Sequence, residues 1–203
     1  ETALNIPFRD KEALLAVTEY LSTGEYTVGD IDSLSPFSKI IYLFLQEFSL
    51  FQGDYKNFAQ NIYQAKLLAL DINQKEMELF CELLIANSYC NCECLQKAEK
   101  IYMDILNFTE KNTLFNSMLL TKYFYAKLKI REQKESEAFV LINDSLALIQ
   151  KNHNNAKILY VMFEKLFVEL MKKQQGSSEI IDSENAKLEQ FREQLKIFFK
   201  EEC

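Results

Sequence analysis

The feature that most constrains this chain is a repeat. Ala59, Ala98 and Ala138 stand 39 and 40 residues apart, and each is followed by apolar residues at the same offsets. Three residues on come Ile62, Ile101 and Leu141; four on, Tyr63, Tyr102 and Ile142; eight on, Leu67, Leu106 and Leu146. Such offsets place the side chains on one face of an α-helix, as a stripe that needs a core. A second stripe precedes each anchor. Ile40, Leu79 and Leu119 align, then Phe44, Leu83 and Tyr123, then Phe51, Cys90 and Ile130; a further 40 residues reaches Leu159, Phe163 and Leu170. Each unit therefore reads as two amphipathic helices joined by a short polar turn, and each buries its apolar face only against its neighbours.

The supply of turn-forming residues agrees. With 4 Gly and 2 Pro in 203 residues, the chain is poorly equipped for the tight turns of sheets, whereas long helices need few such residues. At 48% hydrophobic and 26% charged residues it can bury a core. The periodicity predicts helices near 10–22, 37–51, 55–70, 75–91, 95–109, 114–131, 135–151, 155–174 and 183–201. Ser35-Pro36 is a start signal, with Ser as cap and Pro in the first turn. Gln175-Gly176-Ser177-Ser178 reads as a linker, and a last helix bearing Leu188, Phe191, Leu195 and Phe198 as a cap on the stack. The expected organisation is thus an N-terminal helix and linker over 1–34, helix-hairpin repeats over 35–174, and a linker with a C-terminal capping helix over 175–203.

A small residue at the anchor lets paired helices cross closely. Hairpins of this kind, with Gly53-Asp54-Tyr55 leading to Ala59 and with Ala86 twelve residues before Ala98, resemble tetratricopeptide (TPR) repeats. The period departs from the family's length of about 34, and its closing Pro is missing. The resemblance implies an all-α, right-handed TPR-like superhelix of antiparallel hairpins. Ala3-Leu4-Asn5-Ile6-Pro7 resembles the closing stretch of a Cro/repressor-type helix-turn-helix domain. Followed by hairpins, it makes the chain similar to Rgg- and PlcR-type cytoplasmic pheromone-receptor transcriptional regulators. That resemblance implies a DNA-binding head ahead of residue 1, which is Glu, and a repeat domain that dimerises and binds a short imported signalling peptide.

Charge and chemistry narrow the function classes. The net charge is −7, with no dense Lys/Arg run, so direct nucleic-acid binding by this stretch is not expected. The longest apolar run, Ile40 to Leu45, ends at Gln46 and Glu47 and is too short to span a membrane. Five cysteines, an odd number without a secretory leader in this sequence, favour the cytoplasm. Cys90-Asn91-Cys92-Glu93-Cys94 invites a metal reading, but a zinc site pairs such a motif with a second, distant pair of Cys or His. His153 is the one histidine, and it falls in a polar turn. Cys90 lies in an apolar column, so neither metal nor cofactor is expected. Without a phosphate loop, a nucleophile elbow or a dinucleotide fingerprint, the chain is not expected to be an enzyme.

What remains is binding of a peptide or protein. Glu82, Asn87 and Tyr89 leave the apolar face of one unit's first helix; Lys122, Tyr125 and Lys129 leave that of the next; Lys165 follows Tyr125 by 40 residues. A merely solvated face is the plain alternative for any one of them. Together, Glu82, Asn87, Tyr89, Lys122, Tyr125 and Lys165 are the candidate peptide-binding residues of a concave surface. Two function classes stand: the ligand-sensing domain of a transcriptional regulator, working as a homodimer, and a TPR-like scaffold or adaptor with no small ligand.

Overall fold

The computed structural model describes residues 34–50, 54–151 and 156–173, and besides these Ala13, Leu15, Ala16, Val17, Glu19, Thr23 and Ala186. The helix-turn-helix-like segment at Ala3–Pro7, the Gly53 turn, His153, the 175–178 linker and the capping residues Leu188, Phe191, Leu195 and Phe198 lie outside the described residues. Seven helices are bounded among the described residues: α1 (Pro36–Leu50), α2 (Tyr55–Asp71), α3 (Lys75–Asn91), α4 (Leu95–Lys111), α5 (Phe115–Arg131), α6 (Glu135–Lys151) and α7 (Lys157–Lys173). No strand occurs among these residues. For these seven the boundaries expected from periodicity agree to within about two residues, the usual scatter at helix ends, while the bounds expected at 10–22 and 183–201 lie outside the described residues.

Local chemistry starts the helices. The Ser35 hydroxyl accepts from the Ser38 backbone N–H at 3.1 Å, with Pro36 in the first turn of α1. Asp54 caps α2, its carboxylate accepting from the N–H groups of Lys56 and Asn57 at 3.2 Å.

From α2 to α6 the helices begin at Tyr55, Lys75, Leu95, Phe115 and Glu135, each twenty residues after the last. Each is 17 residues long, and α2 to α5 each end in the same three-residue turn. The middle residue, Asn73, Glu93, Thr113 or Gln133, has φ between 55° and 62°. The residue after it donates to the carbonyl five positions back, Gln74 to Ala69, Cys94 to Tyr89, Leu114 to Thr109 and Lys134 to Lys129, all at 2.9 Å. The middle residue itself donates three positions back, completing a Schellman motif. Glycine usually fills the left-handed position, because a Cβ costs about 1 kcal/mol there. This chain makes four such turns without it, and the third turn residue's carbonyl then opens the next helix.

This rhythm corrects the register of the first repeat. Phe58, Ala98 and Ala138 occupy the fourth position of their helices and are all buried. So are Ile62, Tyr102 and Ile142, then Ala65, Ile105 and Ser145, then Ala69, Thr109 and Ile149. The first anchor is therefore Phe58 and not Ala59. Tyr63 and Leu67, expected on the apolar stripe, are instead 52% and 46% exposed. The small-residue signal does hold at Ala86 and Ala126, each twelve residues before Ala98 or Ala138 and each fully buried.

Contacts divide the chain into two units, Glu1–Ile105 and Leu106–Cys203. In the first, Ile40, Phe44, Phe58, Ile62, Ala65, Ala69, Cys81 and Leu84 form the core that binds α1, α2 and α3, with Phe44 and Phe80 edge-to-face at 5.5 Å. A smaller cluster sets Ala13 and Ala16 against Tyr42 and Leu45 of α1. In the second unit, Leu119 and Ala126 of α5, Ala138, Ile142 and Ile149 of α6, and Phe163, Leu166 and Leu170 of α7 make one core. There Tyr123 meets Phe163 edge-to-face at 5.7 Å, so the first helices of successive hairpins touch.

Candidate functional site

The six candidate residues fall three to a unit. In the first unit Glu82, half-buried on α3, takes a 2.7 Å ion pair from Lys66 of α2. Burial works against the Lys66 charge, but the Glu82 hydrogen bond and its negative charge outweigh it, and the Lys66 pKa is raised. Asn87 is half-buried on the same helix. Tyr89, also half-buried, carries the Lys97 ammonium 5.6 Å above its ring.

In the second unit Lys122 is half-buried and pairs with Glu110 at 3.7 Å. Tyr125 supports the Lys129 ammonium, 4.9 Å from its ring centre. Lys165 is exposed on α7. Lys129, which the sequence places on the solvated face, is instead 3% exposed. Its ammonium reaches Glu137 at 3.1 Å and Glu132 at 3.5 Å, while Lys134 holds the same Glu132 oxygen at 3.0 Å. A lysine can be buried when carboxylates meet its charge. Lys129 is therefore a structural residue at the α5–α6 turn.

Sequence reasoning missed a cavity of about 650 Å³ in the first unit. From α2 come Tyr55, Lys56, Ala59, Gln60, Tyr63 and Gln64; from α3 come Ile85, Ser88 and Tyr89; the turn after α3 adds Cys92 and Cys94. Its room comes from short side chains, Ala59 on one helix and Ser88 on the other, the latter turning its hydroxyl back to the Leu84 carbonyl at 2.9 Å. Of the six candidates only Tyr89 lines it. The register explains the omission: once Phe58, Ile62, Ala65 and Ala69 are the core stripe of α2, Tyr55, Ala59 and Tyr63 must share another face.

The volume lies within the usual range for small-ligand sites, about 300–1,000 Å³. With this geometry, one likeness is informative. The chain superimposes on the crystal structure of Bacillus thuringiensis PlcR in complex with the peptide PapR7 and DNA, with a TM-score of 0.63 and 19% identity, over 96% of this chain and 67% of that one. The fold is similar to that of PlcR, a TPR-like helical repeat. No family model matches the chain, and no curated protein matches it.

The cysteines divide by exposure. Cys81 and Cys90 are buried, Cys92 and Cys94 exposed. Burial pushes the Cys81 thiol up to about 12, partly offset by the nearby Lys66 charge. Burial, with Cys90 alongside, likewise raises the Tyr102 hydroxyl. Among the described residues no three His, Cys, Asp or Glu side chains gather as a metal-holding group. No helix among them is long and apolar enough to cross a membrane.

Proposed function

We propose that this chain is the peptide-binding, ligand-sensing domain of a helix-turn-helix transcriptional regulator. The observation that carries this reading is the likeness, along 96% of the chain, to a protein whose crystal structure holds both a peptide and DNA. Glu82, Asn87, Tyr89, Lys122, Tyr125 and Lys165 suit the task chemically: amide and charged groups hydrogen-bond an extended peptide backbone, and tyrosine rings cover its side chains. The reading includes a cytoplasmic homodimer, DNA contact only through a separate domain, and no catalytic step or cofactor. Peptide binding acts by favouring one of two arrangements of the repeats, and needs different affinity for each.

Native mass spectrometry of the chain with short peptides encoded beside its gene tests this. One such peptide should bind stoichiometrically, and Asn87→Ala or Lys122→Ala should weaken it about tenfold while leaving the helical circular-dichroism signal intact. Failure of every such peptide to bind would remove the sensor reading.

One observation favours the second reading, a TPR-like scaffold for a protein partner. Tyr63, Leu67 and Leu70 are 52%, 46% and 44% exposed at offsets of four and seven on α2, an apolar stripe open to solvent. Forty residues on, the same positions hold Met103, Asn107 and Glu110, so the stripe does not recur on α4.

A further inference from the structure

The cavity between α2 and α3 differs in charge from the chain around it. The protein carries 30 acidic against 23 basic residues, yet among the described residues the one charged side chain lining this cavity is Lys56. Two further ammonium groups stand beside its rings, Lys97 over Tyr89 at 5.6 Å and Lys66 over Tyr63 at 6.0 Å, the latter engaged with Glu82. The neighbouring carboxylate of Asp54 faces the α2 backbone, accepting from Lys56 and Asn57. Three phenol rings, Tyr55, Tyr63 and Tyr89, with Ala59 and Ile85, give the walls an aromatic and aliphatic character.

We propose that this cavity is a binding site for an aromatic ring bearing an anionic group, the ring among the three tyrosines and the anion towards Lys56. Rings prefer offset or edge-on contact with other rings, and a cation is well met by an anion where the nearby carboxylates, Asp54 and Glu82, already have donors of their own. Two sources share this chemistry: a free aryl acid, and the C-terminal phenylalanine or tyrosine of a peptide. The second rests on the peptide-binding reading; the first does not. Cys92 and Cys94, exposed in the cavity wall, report occupancy, because a ligand that fills the space covers their sulfur atoms.

The experiment measures iodoacetamide alkylation of each cysteine by peptide mapping of the full chain. N-acetyl-L-phenylalaninate serves as the peptide-end probe and 4-hydroxyphenylacetate as the aryl-acid probe. At about ten times its Kd, a bound acid should slow alkylation of Cys92 and Cys94 about tenfold. Protection by the first probe alone assigns the site to a peptide terminus, by the second alone to a small acid, and by both to the shared chemistry. N-acetyl-L-phenylalanine amide should bind about threefold more weakly for want of the charge, and N-acetyl-L-leucinate about tenfold more weakly for want of the ring. Lys56→Gln and Tyr63→Ala should cost about threefold and about tenfold in affinity, and both side chains are exposed, so neither change opens the core. Unchanged alkylation with both acids, or protection undiminished by both substitutions, would overturn the proposal. The probes are single residues and small acids, so a chain that binds no longer peptide still gives a decisive result here.

Discussion

The C-terminal ends of α3 and α5 share one backbone and carry opposite chemistry. Both close in the same hydrogen-bonded turn, with Glu93 and Gln133 at φ 61° and 62°. Yet Ser88, Tyr89, Cys92 and Cys94 of the first are replaced, forty residues on, by Leu128, Lys129, Glu132 and Lys134. At α5 the long lysine side chain is drawn inwards, and three ion pairs converge on it and on Glu132. At α3 a short serine and a half-buried tyrosine leave space, and the cavity lies there. The repeat supplies a frame; whether its hairpin end is braced by ion pairs or leaves a cavity depends on four side chains.

The largest expected difference between the two ends is in stability. Lys129→Ala removes a buried ammonium from half-buried Glu132 and exposed Glu137, and because Glu137 is well solvated the cost should be nearer about 2 kcal/mol than the larger values of fully buried pairs. Tyr89→Ala, on the equivalent position, should cost about 1 kcal/mol, since the ring is half-buried and opens onto the cavity. Urea melts of both variants check this, and equal midpoints would mean that Lys129 is no strut.

A second pair sharpens the register. Ala98 is fully buried, so Ala98→Leu should overpack its site and cost about 1–3 kcal/mol. Ala59 faces the cavity, and Ala59→Leu should change stability by less than about 0.5 kcal/mol while filling space that a ligand would use. Comparable losses from the two would restore Ala59 as an anchor.

Thiol titration separates the ends again. Cys92 and Cys94 should alkylate in the folded protein, and Cys81 only on unfolding. The sign of the pH effect follows from the raised Cys81 value. Below about 9 the thiol is neutral in both states; between about 9 and about 12 the unfolded chain ionises first, so stability falls as pH rises through that window. Thermal melts at a series of alkaline pH values, with Cys81→Ala as reference, should show a steeper loss for the unmodified protein.

The smallest effect concerns the turns. Thr113→Gly should stabilise by about 0.5 kcal/mol, because a β-branched residue at positive φ is strained, whereas Asn73→Gly should be nearly neutral. If both substitutions destabilise alike, strain at Thr113 is not stored as argued.

Much of this architecture was legible in the sequence. Helix existence and most boundaries follow from apolar stripes that recur on a fixed rhythm, and the buried Ala86, Ala98 and Ala138 match the small-residue reading. The first anchor misled because alanine is equally at home in a tight crossing and beside a cavity, so Ala59 passed for Phe58. Lys129 was unreadable because lysine on a helix ordinarily faces water, and its carboxylate partners sit on the following turn and helix. The cavity had no local signal at all. It arises from two short side chains, Ala59 and Ser88, brought together by packing of α2 against α3.

The central claim is that the first-helix face around Tyr89 holds a peptide, while the equivalent Lys129 end only supports the fold. Calorimetric titration with the peptide selected from the gene's neighbourhood, run side by side on the unmodified chain, Tyr89→Ala and Lys129→Ala, tests it most directly. Tyr89→Ala should lose about tenfold in affinity, and Lys129→Ala, measured well below its melting temperature, less than about threefold. Full affinity in Tyr89→Ala, or a loss confined to Lys129→Ala, would contradict the account.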